Sequence, residues 1–281
     1  MILTAVAYLV MMAGLPVRRV GAFLVAVVLV WAVLAGREPG MWWTERGWAV
    51  LMAGWFVALT LRSPESGFFP RALGAIGGAA AVAAVLLGLQ EDGWRMLDFQ
   101  VDGRIRASVA PLNAMGAAMQ EQGRVSPLMA QTLEQLPQLI ELQVRLFPAM
   151  AALGSLAGIS VAWWLYVRMA HGDDQGLLPL REFRFNDQLV WLFIGGLAML
   201  LLAAEGPRRA GANAAMFMGA LYALRGAGVV VFFGTGQSLV GAILLFVAVL
   251  FVAPLVVMGA LVIGLGDTWL DLRARARAMT A

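Results

Sequence analysis

Residues 210–266 read AGANAAMFMGALYALRGAGVVVFFGTGQSLVGAILLFVAVLFVAPLVVMGALVIGLG and carry a single charged side chain, Arg225. A helix needs roughly 20 apolar residues to cross a hydrocarbon core about 30 Å thick, and inside that core it must satisfy every backbone polar group itself. This stretch is long enough for two crossings laid back to back, so the chain reads as an integral membrane protein. Composition agrees: 61% of the residues are hydrophobic and 13% charged, with a mean hydropathy of +0.81. Soluble domains hold roughly 45–50% apolar and about 25% charged residues.

Working outward, further apolar segments lie at 1–15, 20–36, 48–61, 69–89, 147–169 and 189–204, ahead of 210–233 and a long last span, 239–266, interrupted by Pro254. The first is short for a crossing, and it has no basic group before its apolar run, which is the reverse of a secretory signal. The expected fold is an all-α, polytopic transmembrane helix bundle of seven or eight spans with an amphipathic helical insertion. Its parts are N-terminal spans over 1–89, an extramembrane segment over 90–146, C-terminal spans over 147–272 and an arginine-bearing tail over 273–281. Trp42, Trp43, Trp48, Trp163, Trp164, Tyr166, Trp191 and Trp269 gather at span boundaries, where amphipathic rings sit at headgroup depth. Gly74 with Gly78, Gly154 with Gly158, and Gly211 with Ala215 and Gly219 repeat at four-residue spacing, the pattern that lets helix backbones approach closely.

Within 90–146, Met129, Leu133, Leu136, Ile140 and Val144 follow one face of a helix. Pro137 inside that run predicts a kink or a break. The segment reads as an interfacial or bundle-capping helix, with a partner-binding helix as the sharper alternative.

Every basic residue is arginine, twenty in all, and none forms a patch with interleaved aromatics, so nucleic acid is not an expected partner. Arginine counts between spans place both termini inside, grouping Arg208, Arg209, Arg273, Arg275 and Arg277 on the cytoplasmic side and Arg181 and Arg184 outside. No cysteine is present, which removes disulfides, thiolate metal sites and redox pairs.

Catalytic patterns do not assemble. Asp98, Asp102 and Gly103 with Arg104 and Arg106 begin like the aspartate motif of membrane CDP-alcohol phosphotransferases, but Met119 and Gln120 stand where its second aspartate pair is needed. His171 with Asp173 and Asp174 offers metal ligands in one place, yet it is the only histidine, and a solvated turn is the plainer reading. Zinc-helix, phosphate-loop and nucleophile-elbow motifs do not occur. The expectation is a protein that is not an enzyme and needs no metal or cofactor.

Arg225 carries the functional weight, because an arginine at the centre of a span costs about 2.5–3.5 kcal/mol on insertion scales and so faces a cavity or a partner. One reading gives it an anionic ligand or a counter-charge among Glu205, Asp187 and Asp267. The other breaks the helix near Gly226 and Gly228 and lets the guanidinium reach the headgroups. Asn213 lies on the same segment and joins Arg225 as a candidate ligand contact. Asp267, Asp271 and Arg275 share a helix face beyond the last span, an i to i+4 salt bridge. Asp267, Asp271 and Arg273 are also candidates for a docking site.

Asn213, the run Leu221-Tyr222-Ala223-Leu224-Arg225-Gly226, the apolar helix broken at Pro254, and Gly264-Leu265-Gly266-Asp267-Thr268-Trp269-Leu270-Asp271-Leu272-Arg273 resemble the C-terminal half of the YybS-like family of uncharacterised bacterial membrane proteins. So does Leu178-Pro179-Leu180-Arg181-Glu182-Phe183-Arg184-Phe185. The resemblance covers about 147–273. Ahead of Gly226 that family often carries glutamine, where this chain has arginine. The resemblance implies a multi-pass protein of the bacterial inner (cytoplasmic) membrane. Its layout is similar to the substrate-binding membrane subunits of energy-coupling-factor transporters. The functional expectation is a transporter-type solute-binding subunit lacking its own ATPase, with an unidentified small-molecule ligand. The alternative is a structural or assembly subunit that binds other membrane proteins through the amphipathic segment and the tail. Lipid is the surrounding partner in either case.

Overall fold

The structure is a computed structural model that describes residues 41–63, 65–121, 127–171, 177, 179–234 and 253–280. The spans expected at 1–15 and 20–36, and 239–252 of the last one, lie outside those residues, as do Asp173 and Asp174. The described elements are helical, with no strand among them. Four helices are long and apolar enough to cross a membrane, and the Asp187–Leu202 segment is apolar but shorter.

The chain divides into two compact units, Met1–Gly176 and Leu177–Ala281. In the first, α1 (Met41–Arg62) and α2 (Phe68–Gly88) form a hairpin. It closes tightly because α2 presents glycine and alanine: a Cβ at Gly78 would come within 2.6 Å of the Trp55 ring, and one at Gly74 within 2.9 Å of Leu59. The apolar 48–61 run lies inside α1, but Glu45 and Arg46 in its early turns keep α1 out of the group apolar enough to cross.

α3 (Gly93–Glu121) precedes α4 (Pro127–His171), which runs unbroken through Pro137 and Pro148. The break considered at Pro137 does not occur: a proline removes one backbone hydrogen bond, and the neighbouring turns of this long helix bridge the gap. At about 1.5 Å per residue α4 is roughly 68 Å long, about twice the thickness of a bilayer's hydrocarbon core. Its second half is the apolar crossing. Its first half bears Glu134, Gln138 and Glu141 and packs along α3. The predicted stripe is covered by its own chain, with Leu136 and Ile140 buried and Leu133 lying over Gly116. On the membrane half, Phe56 is fully buried between the Phe68 and Trp163 rings, and Trp48 Nε1 donates to Ser155 Oγ at 2.8 Å.

In the second unit, 3-10 turns at Leu180–Glu182 and Asp187–Leu189 lead into α5 (Val190–Leu202), followed by α6 (Glu205–Phe233), α7 (Ala253–Leu270) and α8 (Leu272–Thr280). α5 and α6 are antiparallel. Gly196 lies against Ala214 and Ala215, where a Cβ would be tight at 3.0 Å, and Gly211 against Leu200, where a Cβ would come within 2.6 Å. α6 and α7 are parallel, since Gly219 meets Leu261, Tyr222 meets Gly264 and Arg225 meets Asp267.

That direction corrects the arginine sorting. With α6 and α7 parallel, the tail leaves at the end of the unit that holds the 179–189 segment, and Arg273 Nη1 donates to the Arg181 and Phe183 carbonyls at 3.0 and 3.1 Å. Arg181 and Arg184 therefore share a face with Arg273, Arg275 and Arg277, while Arg208 and Arg209 lie at the other end of α6. The sorting assumes a single crossing over 239–266, of which 239–252 lie outside the described residues. Because the chain has no native cysteine, the face is directly testable. Arg181→Cys and Arg275→Cys are expected to react with an impermeant thiol reagent from the same side of sealed vesicles, and Arg208→Cys from the opposite side.

Candidate functional site

α7 ends where its backbone turns left-handed at Asp271, φ 43°, a conformation that aspartate tolerates better than most residues. The turn redirects α8 and brings Arg273 under the end of α7. There Arg225 of α6, Asp267 of α7 and Arg273 of α8 are each at most 2% exposed.

The Asp267 carboxylate joins the two cations. Its Oδ2 accepts from Arg225 Nε at 3.0 Å and from Arg273 Nη2 at 2.7 Å. Arg225 Nη2 donates to the Asp267 carbonyl at 3.3 Å and Nη1 to Asp187 Oδ1 at 2.6 Å. Asp187 is 60% exposed, so it closes the network from the solvent side. The guanidinium of Arg225 also lies 5.5 Å from the Phe185 ring centre, and Phe185 packs edge-on against Tyr222, which Phe193 flanks. The Tyr222 hydroxyl is buried close to Thr268 without a hydrogen bond of ordinary geometry.

Within this cluster two cations and two carboxylates balance, and each buried charge has an opposite neighbour. Breaking such a pair is costly because the survivor keeps its desolvation penalty. The cluster ties α6, α7, α8 and the 179–189 segment together. Arg184 adds a pair to Asp271 at the surface.

Of the residues singled out in the sequence, Arg225, Asp267 and Arg273 meet, and Asp271 stands beside them. Asn213 does not join them: it is twelve residues earlier on α6, about 18 Å along the axis, and its Nδ2 donates to the Arg209 carbonyl at 2.9 Å. Of the three counter-charges considered, Asp187 and Asp267 are used. Glu205 starts α6, about 30 Å away. The expected Asp271 to Arg275 side-chain pair is replaced by Asp271 to Arg184, because the helix ends at Asp271. Asp267 and Arg273, offered as docking residues, are buried, and only Asp271 of that trio reaches the surface. Sequence reasoning missed the Arg181 and Phe183 carbonyls as acceptors for Arg273; backbone acceptors leave no residue-type signal.

Among the described residues, two cavities have linings that do not include Arg225. One is an open groove of about 500 Å³ between α3 and α4, lined by Asp98, Phe99, Asp102, Arg106, Glu141 and neighbours. The other, about 380 Å³, is lined by Arg181, Glu182, Phe232 and Arg277. His171 closes α4, and no group of three or more metal-ligating side chains occurs among the described residues.

A family model described as "Predicted membrane protein (DUF2232)" matches residues 72–268, more than two-thirds of the chain. No curated protein and no solved structure matches.

Proposed function

We propose that this chain, which belongs to the DUF2232 family of predicted membrane proteins, is a multi-pass structural or assembly subunit that holds other membrane proteins through its extramembrane helical hairpin. The observation that carries this reading is the internal use of Arg225. Its donors go to Asp267 and Asp187 of the same chain, so it acts as a brace within its own unit. A transporter-type solute-binding role asks the same guanidinium to leave Asp267 for a solute.

The hairpin supplies the surface. Phe99, Met96, Leu139 and Leu142 are each at least half exposed on the polar halves of α3 and α4, where large apolar side chains favour a covering partner. In the second unit, five arginines in short segments lie on the face of the tail and two on the other, which favours a cytoplasmic tail in a bacterial inner membrane.

Photo-crosslinkers at Phe99 and at Leu142, introduced in cells, are expected to give the same discrete protein adduct, while one at lipid-exposed Trp191 gives none of it. Adducts to lipid alone at all three positions would end the assembly reading. A low-mass solute retained by the native protein and lost in a folded Arg225→Gln variant would replace it with solute binding.

A further inference from the structure

We propose that the pocket between the first 3-10 turn, the end of α6 and α8 holds the headgroup of an anionic phospholipid. Its phosphate would sit between Arg181 and Arg277, with an acyl chain running down the exposed end of α6. The inference rests on the pocket and its position and is independent of the assembly reading.

Position comes first. α7 ends at Leu270, and the chain turns polar at once with Asp271, Arg273, Arg275 and Arg277, so this end of the unit marks a bilayer boundary. Trp269, 64% exposed, is the amphipathic ring expected at that depth. α8 alternates arginine with alanine in the run Arg273-Ala274-Arg275-Ala276-Arg277. Arg273 is turned inward to Asp267 while Arg275 and Arg277 are exposed. The buried network therefore fixes α8 against the 179–189 segment, and that places the Arg277 and Arg181 guanidiniums around one cavity.

The cavity is of headgroup size, about 380 Å³, and its lining is mixed in the way a lipid requires. Two guanidiniums offer paired N–H donors to phosphate oxygens. Arg277 lies 5.4 Å over the Phe232 ring, so the cationic wall continues directly into an apolar one, and Phe233 and Leu180 beside it are exposed. A soluble anion would have no use for that apolar continuation. Glu182 stands 4.0 Å from Arg181, a separation that leaves most Arg181 donors directed elsewhere. Two cations against one carboxylate leave the pocket net positive, and exposed Arg275 adds to that field. Basic pockets at the ends of membrane spans recognise anionic headgroups, with each arginine contributing about a factor of five in affinity.

The test uses the full chain in detergent, with native mass spectrometry reading lipid adducts after addition of phosphatidylglycerol, phosphatidylethanolamine or phosphatidylcholine. The expected result is one tightly held phosphatidylglycerol per chain. The Arg181→Gln/Arg277→Gln variant should lose about 10-fold or more of that preference, and Arg277→Gln alone an intermediate amount. Arg208→Gln/Arg209→Gln, at the other end of α6, should leave it unchanged. Both altered arginines are at the surface, so the variants should keep the native melting temperature. Equal retention of phosphatidylcholine, no loss in Arg181→Gln/Arg277→Gln, the same loss in Arg208→Gln/Arg209→Gln, or displacement by millimolar inorganic phosphate would each overturn the proposal.

Discussion

Asp267→Asn is expected to destabilise the protein by about 3–5 kcal/mol, the range for removing one partner from a buried charge pair. The cost is high because Asp267 is the carboxylate shared by two buried cations: Oδ2 holds both Arg225 and Arg273. Asparagine fills the same space but carries no charge, leaving the buried Arg273 without a carboxylate and Arg225 with only the largely exposed Asp187. The converse change is milder. Arg225→Met leaves Asp267 with Arg273 at 2.7 Å, and Asp187, largely exposed, returns to water. Its cost should stay near 1–3 kcal/mol, the penalty of a lost charged hydrogen bond. Denaturant titration of the purified variants in bicelles gives the order. If Arg225→Met cost more than Asp267→Asn, or if neither changed stability, Asp267 would not be the hub.

The second large effect is steric. A Cβ at Gly226 would fall inside the van der Waals surface of the Ala260 carbonyl, 2.9 Å from Gly264 N, and one at Gly264 would meet the Tyr222 carbonyl and Gly226 N. These obstacles are backbone, so no rotamer change relieves them and the helices must separate. Gly226→Ala and Gly264→Ala should each cost about 3 kcal/mol or more, at the upper end of overpacking. They should also weaken the Arg225 to Asp267 pair one turn further on. Gly259 and Gly266 lie on the same helix with nothing within 4 Å. Alanine there should be neutral, or stabilising by up to about 1 kcal/mol through helix propensity. A shared response at all four positions would mean that α6 and α7 do not meet at these glycines.

These two sites show where the sequence was legible. Composition gives away the helices at 69–89 and 210–233, because an apolar run in lipid has no other way to satisfy its backbone. Arg225 demanded a partner on cost alone, and the nearby acidic residues already included Asp187 and Asp267. The closest helix contact was not legible. Gly226 has no small residue four positions away, and the Ala260 and Gly264 pair that meets it was not singled out, while Gly154, which has such a repeat, meets nothing within 4 Å. Nor was the parallel course of α6 and α7, which shows only in which residues of the two helices meet. Asn213 was grouped with Arg225 by sharing a segment, yet three turns of helix separate them.

The most direct test of the central claim is a structure of the full chain in lipid nanodiscs, prepared with its copurifying material retained. The prediction is that the Arg225 guanidinium lies within hydrogen-bond reach of the Asp267 and Asp187 carboxylates, with no other density between them. An Asp267 side chain turned away, with a solute or anion seated against Arg225 in its place, would contradict it.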